Sequence, residues 1–285
     1  MAKYTNRSNL PISLAVFLAF RDYDGSSASN VISATGLLKS VRQIVLGARL
    51  PADRTPTDIM ALVPSSVGTA VHARIEHAWL NHHRECMQAL GIPDHVIDRV
   101  KINPDPATVQ PEDIPVYLEL RSDKAIEDFI ISGKFDFVFD GELEDFKNTS
   151  VFAFQNRSND QKFMLQGSIY RWLNPHLITK DKTAIRYILS DWKAAMVQTD
   201  PTYPKERIVT REFQLLPLPA TEQYIRAKLQ QIKTHMLTPE PALPECDDDH
   251  LMRRAPVFKY YKNPEKRARS TKNFDTAKEA QQRYV

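Results

Sequence analysis

Three residues in the segment ISGKFDFVFDGELEDFKNTS, residues 131–150, have types and spacing that suit chemistry: Asp136, Asp145 and Lys147. The segment reads as two strands joined at Asp140-Gly141, a pair that favours a two-residue hairpin loop. With those residues as the loop, Phe139 pairs with Glu142 and Asp136 faces Asp145, their Cβ atoms roughly 4.5–5.5 Å apart. Lys147, two residues beyond Asp145, points to the same side. Facing carboxylates repel. A divalent cation between them removes that cost, and short carboxylates that offer only oxygen suit Mg²⁺ or Mn²⁺. A lysine beside such a cation can orient or deprotonate a water, or steady charge building on a phosphate. Acidic residues on a hairpin also commonly form nothing more than a solvated face. Against that plainer reading, Phe135, Phe137 and Phe146 are expected to pack the opposite face, and Val138 and Leu143 make the acidic face partly apolar.

The elements that must hold this hairpin follow from periodicity. Residues 65–90 form the strongest helical run, with Val71, Ile75, Ala78 and Leu90 as its apolar stripe. After a loop at 103–115 that holds four prolines, the period changes to two. VYLELR at 116–121, FIISGKFDFVF and LEDFKNTSVFAF read as strands. FMLQGSIYRWL, residues 163–173, reads as a helix, TAIRYILSDW and RIVTREFQLLPL as strands, and 221–236 as an amphipathic helix with Ile225, Leu229, Ile232 and Met236 on one face. This order implies an α/β domain with a mixed sheet flanked by helices. It divides the chain into residues 1–237 and a proline-rich linker with a basic segment at 238–285, where FKYYK and ARSTKNF read as a strand pair followed by a short helix from about Thr276.

Composition excludes several classes. A chain of 285 residues with 42% hydrophobic and 26% charged content is long enough to bury a core without staples. Two distant cysteines, Cys86 and Cys246, cannot build a disulfide framework, a zinc ribbon or a four-cysteine iron–sulfur cluster. ISLAVFLAF at 12–20 has the apolarity of a signal peptide, but it is too short to span a bilayer, and Arg21, Asp22 and Asp24 follow where a cleavage site is small and neutral. It reads as a buried helix or strand, and a reducing cytoplasm is the expected compartment, with no membrane partner. The charge is uneven. Residues 251–285 hold ten Lys/Arg against three Asp/Glu, a net of +7, which leaves −4 elsewhere out of a total of +3. Lys259, Lys262, Lys266, Arg267 and Arg269 lie close together beside Tyr260 and Tyr261, a composition that suits DNA as readily as it suits a solvated extension.

The hairpin itself, GKFDFVFDGELEDFKNTS, resembles the core of the PD-(D/E)XK nucleases, in the RecB-like branch that includes phage exonucleases. The resemblance implies a restriction-endonuclease-like core, with Asp136 and Asp145 as metal ligands, the Phe146 carbonyl also on the metal, and Lys147 as the catalytic lysine. The second acid in that family is often Glu. Here it is Asp145, since Glu144 points to the other face. GTAVHARIE resembles the family's Gly-x-x-x-His helix and maps its metal-binding histidine onto His72. Glu76, one turn on, either joins the ligands or holds the imidazole. With His77, His82 and His83 nearby, an ordinary surface or core role for His72 is the alternative. QGSIY resembles the family's Q-x-x-x-Y helix and maps onto Gln166 and Tyr170, which would support the substrate or Lys147. An ordinary packed helix is the alternative there. With VISATGLLKSVRQIVL resembling the N-terminal helix, the likeness runs over roughly residues 30–175.

What the resemblance implies is a Mg²⁺- or Mn²⁺-dependent DNA exonuclease without an iron–sulfur cluster, acting in phage-type replication or recombination, in the host cytoplasm if phage-encoded. A structure-specific endonuclease, or a DNA-binding module that kept the fold and lost catalysis, are the rivals. Nothing in the sequence demands an oligomer.

Overall fold

The computed structural model describes residues 3–20, 28, 30–50, 56–248, 250–251, 253, 256–263, 265 and 268–283. The chain divides into two compact units, Met1–Leu243 and Pro244–Val285. The first opens with a two-residue strand β1 (Tyr4–Thr5), helix α1 (Ile12–Ala19), strand β2 (Val31–Ser33) and two helices, α2 (Ala34–Leu37) and α3 (Val41–Arg49). Helix α3 starts at a capping box in which Ser40 and Gln43 bond each other's backbone. Strand β3 (Thr57–Asp58) pairs with β1 and leads into the long helix α4 (Val63–Ala89), then α5 (Asp94–Ile97) and β4 (Val100–Ile102). Five strands follow in quick succession: β5 (Ile114–Leu118), β6 (Arg121–Ile126), β7 (Phe129–Lys134), β8 (Phe137–Phe139) and β9 (Glu142–Thr149). Then come α6 (Val151–Asn156), α7 (Asp160–Leu173), β10 (Lys182–Leu189), α8 (Ala194–Thr199), β11 (Ile208–Gln214) and α9 (Leu218–His235).

The strands assemble into a six-stranded sheet in the order β11-β10-β9-β8-β5-β4 and a three-stranded sheet in the order β2-β7-β6. Within the larger sheet β9–β10 and β4–β5 are parallel and the other pairs antiparallel, so the expected α/β fold with a mixed sheet between helices is what forms. On one face of the six-stranded sheet, Trp79 and Met87 of α4 pack against Val116, Leu118, Phe137, Phe139 and Phe146. On the other, Val138 and Leu143 meet Ile169 and Trp172 of α7 and Ile225, Leu229 and Ile232 of α9.

Several expectations fail for identifiable reasons. FIISGKFDFVF is not one strand: β7 and β8 belong to different sheets, and the chain bends at Phe135-Asp136. The bend resets the alternation, so Phe135 joins the α7 core and not the Phe137–Phe146 cluster. VYLELR breaks in the same way at Glu119-Leu120, between β5 and β6. VFAF is helical, because the Ser150 side chain caps Ala153 N–H and starts α6. Leu90 is 78% exposed, while Val71, Ile75 and Ala78 are half-buried, and the α4 residues packed on the sheet cluster are Trp79 and Met87. Helix α1 buries only Ala15 and Leu18, against Ile59, and leaves Ile12 and Val16 exposed. The proline-rich stretch at 238–243 is packed and not a free linker. Arg49 donates to the carbonyls of His235, Met236 and Thr238, Arg42 donates to Leu243 O, and Leu243 is buried beside Val41 and Val45. No helix among the described residues is long and apolar enough to cross a membrane.

In the second unit, β12 (Phe258–Tyr260) pairs antiparallel with β13 (Lys272–Phe274), and a short helix α10 (Ala277–Gln282) follows, as the sequence suggested.

The hairpin register that places the acidic residues is set at Asp140-Gly141. Phe139 pairs with Glu142, and both loop residues have positive φ, 46° and 77°. A Cβ built on Gly141 runs into Thr179 Oγ1. Gly141→Ala is therefore expected to cost about 1–2 kcal/mol in urea denaturation, from positive φ and steric conflict together. An unchanged midpoint would show that the turn does not set the register.

Candidate active site at the sheet bend

The strand pairs β5–β8 and β6–β7 are two halves of one long bent hairpin. Val116 pairs with Phe139 in one half and Arg121 with Lys134 in the other, so a single register runs through the bend. That register puts Glu119 opposite Asp136, and Glu119 N–H donates to Asp136 O at 3.1 Å. The neighbouring hairpin carries Val138 opposite Leu143 and, by extension, Asp136 opposite Asp145. Glu119, Asp136 and Asp145 therefore form a row of three carboxylates on successive strands. Glu119 takes a left-handed backbone, φ 51°, to turn the chain at this point. A non-glycine residue held there carries local strain, as functional positions often do.

Because β8 begins only at Phe137, Phe146 N–H has no ladder partner beyond it. The Asp136 carboxylate supplies one, accepting that N–H at 3.3 Å. Helix α4 then brings His72 onto the same spot. His72 Nε2 lies 2.8 Å from Phe146 O, and Nδ1 lies 3.3 Å from Asp136 Oδ2. A ring that donates from both nitrogens is the imidazolium form. The hydrogen bond and charge of Asp136 raise the His72 pKa despite burial, helped by Phe146 O and Asp145. Burial would push Asp136 up, but His72, Lys147 and Phe146 N–H outweigh it and hold the carboxyl below the usual range.

Asp145 behaves oppositely. Burial pushes its pKa up to about 6, with Asp136 adding to the rise and Lys147 opposing it. Its Oδ2 lies 2.6 Å from Lys147 Nζ, the side-chain pairing expected for two residues on one strand face. Burial likewise raises Glu119, with Asp136 and Glu76 adding and Lys134 opposing from 2.8 Å. On the α7 side, Gln166 Nε2 donates to Tyr170 OH at 3.1 Å. Asp145, Gln166 and Tyr170 line one small cavity with Phe163 and Thr183. Burial raises the Tyr170 phenol well above its ordinary range, and the nearby carboxylates add to this, so it stays a neutral donor.

The structure thus gathers His72, Asp136 and the Phe146 carbonyl at one point, with Asp145 and Lys147 paired alongside and Gln166 and Tyr170 on the far wall. Ligand atoms of His72, Glu119 and Asp136 all lie within 4.8 Å of one another, a set that could hold a metal ion. One imidazole with hard carboxylate oxygens suits Mn²⁺ or Mg²⁺. Asp145 and Glu76 stand outside that set, and the charge of Glu76 acts on Glu119. Glu119 is the member that the sequence reading missed. Read as part of an alternating strand, it had no reason to be singled out. The signal that could have found it is the register shared by the two hairpin halves. Of the basic residues proposed for DNA, Lys259, Lys262 and Arg269 are exposed in the second unit, while Lys266 and Arg267 lie outside the described residues.

Fold and site together define a mixed α/β protein with a carboxylate–histidine–lysine centre at a bend between two sheets. No known protein-family profile matches the chain, and no curated protein does. Five solved chains resemble it in structure. One, designated SSO0001, is 14% identical with a TM-score of 0.41, covering 73% of this chain and 78% of that one. Another, a phage-related exonuclease from Haemophilus somnus 129PT, is 12% identical with a TM-score of 0.32, covering 72% of this chain and 92% of that one. These likenesses are loose, and the functional reading rests on the side chains of the site.

The raised Asp145 pKa has a stability consequence. From the ordinary value of 3.8 up to about 6, the unfolded chain gives up this proton more readily than the folded one. Stability is therefore lost as pH rises through that window and stays lower above it. Asp145→Asn is expected to raise unfolding free energy at pH 8 in chelator by on the order of 1–3 kcal/mol, and by much less at pH 4. Equal effects at both pH values would contradict the assignment.

Proposed function

We propose that the protein is a metal-dependent deoxyribonuclease that hydrolyses phosphodiester bonds in DNA and works from ends. The observation that carries this reading is the row Glu119–Asp136–Asp145, with His72 against Asp136 and Lys147 against Asp145. Such a row is costly to bury and serves no packing purpose. A divalent cation, Mg²⁺ or Mn²⁺, would be held by His72, Glu119, Asp136 and the Phe146 carbonyl, with Asp145 adjacent, and would supply a Lewis acid for the phosphate and a more acidic bound water.

The chain's own groups account for the rest. His72 would bind a cation through a deprotonated ring nitrogen, so cation binding would oppose the raised pKa that Asp136 gives the ring. Lys147, anchored to Asp145 at 2.6 Å, presents an ammonium that orients the attacking water or neutralises charge developing on the phosphate. Gln166 Nε2 donates to the Tyr170 phenol oxygen and fixes it beside Asp145 in the same small cavity. Two cysteines outside any disulfide suit a reducing cytoplasm, and the likeness to RecB-like phage exonucleases supports action on DNA ends during replication or recombination.

Cleavage of linear duplex is expected to require Mg²⁺ or Mn²⁺. Asp145→Ala and Lys147→Ala are each expected to slow it by about 10²–10⁴-fold while the protein still unfolds cooperatively. Closed circular DNA should resist digestion, and digestion of both forms at one rate would point to an endonuclease. Wild-type turnover in Asp145→Ala would overturn the proposal.

Glu119→Gln separates the new ligand from the old ones. Mn²⁺ affinity measured by calorimetry should fall at least about tenfold. Unchanged affinity would remove Glu119 from the ligand set.

A further inference from the structure

Among its described residues, the unit 244–285 has secondary structure but no core. Strands β12 and β13 are three residues each, α10 is six, and none of the described residues in this unit is buried. Phe258 is 37% exposed, and Tyr260 and Tyr261 are half-buried. One hairpin with one short helix does not sustain itself in water. Units this small are normally held by a disulfide or a metal. Cys246 is in no disulfide, and the His/Cys/Asp/Glu group fit for a metal among the described residues is His72, Glu119 and Asp136, in the other unit. Local structure is nevertheless well specified. Phe258 pairs with Phe274, Tyr260 pairs with Lys272, Thr271 N–H donates to Tyr260 O, and Thr276 caps α10 at Glu279 N–H. A segment with a set register and little to bury is completed by a partner.

The charge indicates which partner. Residues 251–285 carry ten Lys/Arg and three Asp/Glu. Lys259, Lys262 and Arg269 are exposed around the aromatic residues 258, 260 and 261. Cations interleaved with aromatic rings neutralise phosphates and stack on bases. A membrane-docking segment would instead show a basic helix with a large apolar face. Helix α10, AKEAQQ, has no large apolar residue.

We propose that residues 244–285 are a DNA-docking element that completes its fold on the nucleic acid and holds substrate without taking part in the chemistry. The choice of DNA over other polyanions rests on the nuclease reading above.

The test uses the full chain in EDTA, so that binding is read without cleavage. With a 30-nucleotide single strand or the matching duplex, backbone amides of 256–263 and 268–276 should gain at least about tenfold protection in hydrogen exchange. The triple variant Lys259→Glu, Lys262→Glu, Arg269→Glu should bind at least about tenfold more weakly. Its log–log salt slope should be shallower by about 2 to 3, at 0.7–0.9 per lost contact. The neutral triple Lys259→Gln, Lys262→Gln, Arg269→Gln should lie between wild type and the reversal. Cleavage by either variant at saturating DNA and Mn²⁺ should stay within about twofold of wild type. No gain of protection with DNA, an unchanged affinity and slope in the reversal variant, or protection by phosphatidylserine vesicles in place of DNA would each overturn the proposal. Tail protection by DNA in a protein that cleaves nothing would instead count against the nuclease reading alone.

Discussion

Three acidic side chains on adjacent strands repel one another, and much of the structure is arranged around containing that repulsion. Two unit charges about 5 Å apart cost about 3 kcal/mol at an effective dielectric constant near 20, and Asp136 faces one neighbour on each side. Each carboxylate has its own counter-charge from a different part of the chain. Lys134 of β7 meets Glu119, His72 of α4 meets Asp136, and Lys147 of β9 meets Asp145. The sheet bend supplies the row, and α4 lying across it brings His72, which does most to hold the central carboxylate ionised, with Lys147 and Phe146 N–H adding to it. Helix α4 accordingly turns His72 to the row, and Trp79 and Met87 to the sheet cluster beside it.

The bend also explains why β8 is so short. Carrying Asp136 in a regular ladder would commit the backbone around it to strand pairing. Starting β8 only at Phe137 leaves Phe146 N–H for the Asp136 carboxylate and Phe146 O for His72. The strand end becomes a small polar nest whose groups are satisfied by the site's own side chains. The accompanying strain is local and falls on Glu119, whose positive φ would be relieved by glycine at the loss of a carboxylate.

Burial then divides the protonation states. Asp136 is held ionised by His72, while Asp145, more deeply enclosed, titrates near pH 6, and Tyr170 remains a neutral phenol. Carboxylates whose environments push their pKa values apart are a recurring mark of reactive sites. A chain selected for stability alone would fill the Asp145 position with an aliphatic residue, as Leu143 fills the position before it on the same face. Keeping the acid there lowers stability above the window in which its raised pKa lies.

The sequence by itself determined the local geometry. Asp140-Gly141 dictated the turn, the turn dictated that Asp136 faces Asp145, and strand alternation placed Lys147 beside Asp145. Each step depends on neighbours within about ten residues, where backbone rules suffice. His72, Gln166 and Tyr170 were reached through spacing that resembles a family, and their convergence with the hairpin is a property of the packed helices. What only the tertiary structure decided is the break of two apparent strands into two sheets, the move of Phe135 to the other core, and the arrival of Glu119 opposite Asp136. An alternating pattern cannot reveal where a strand bends, because the bend is selected by what packs on both faces at once, α4 on one side and α7 on the other. Glu119 became part of the site through that long-range choice.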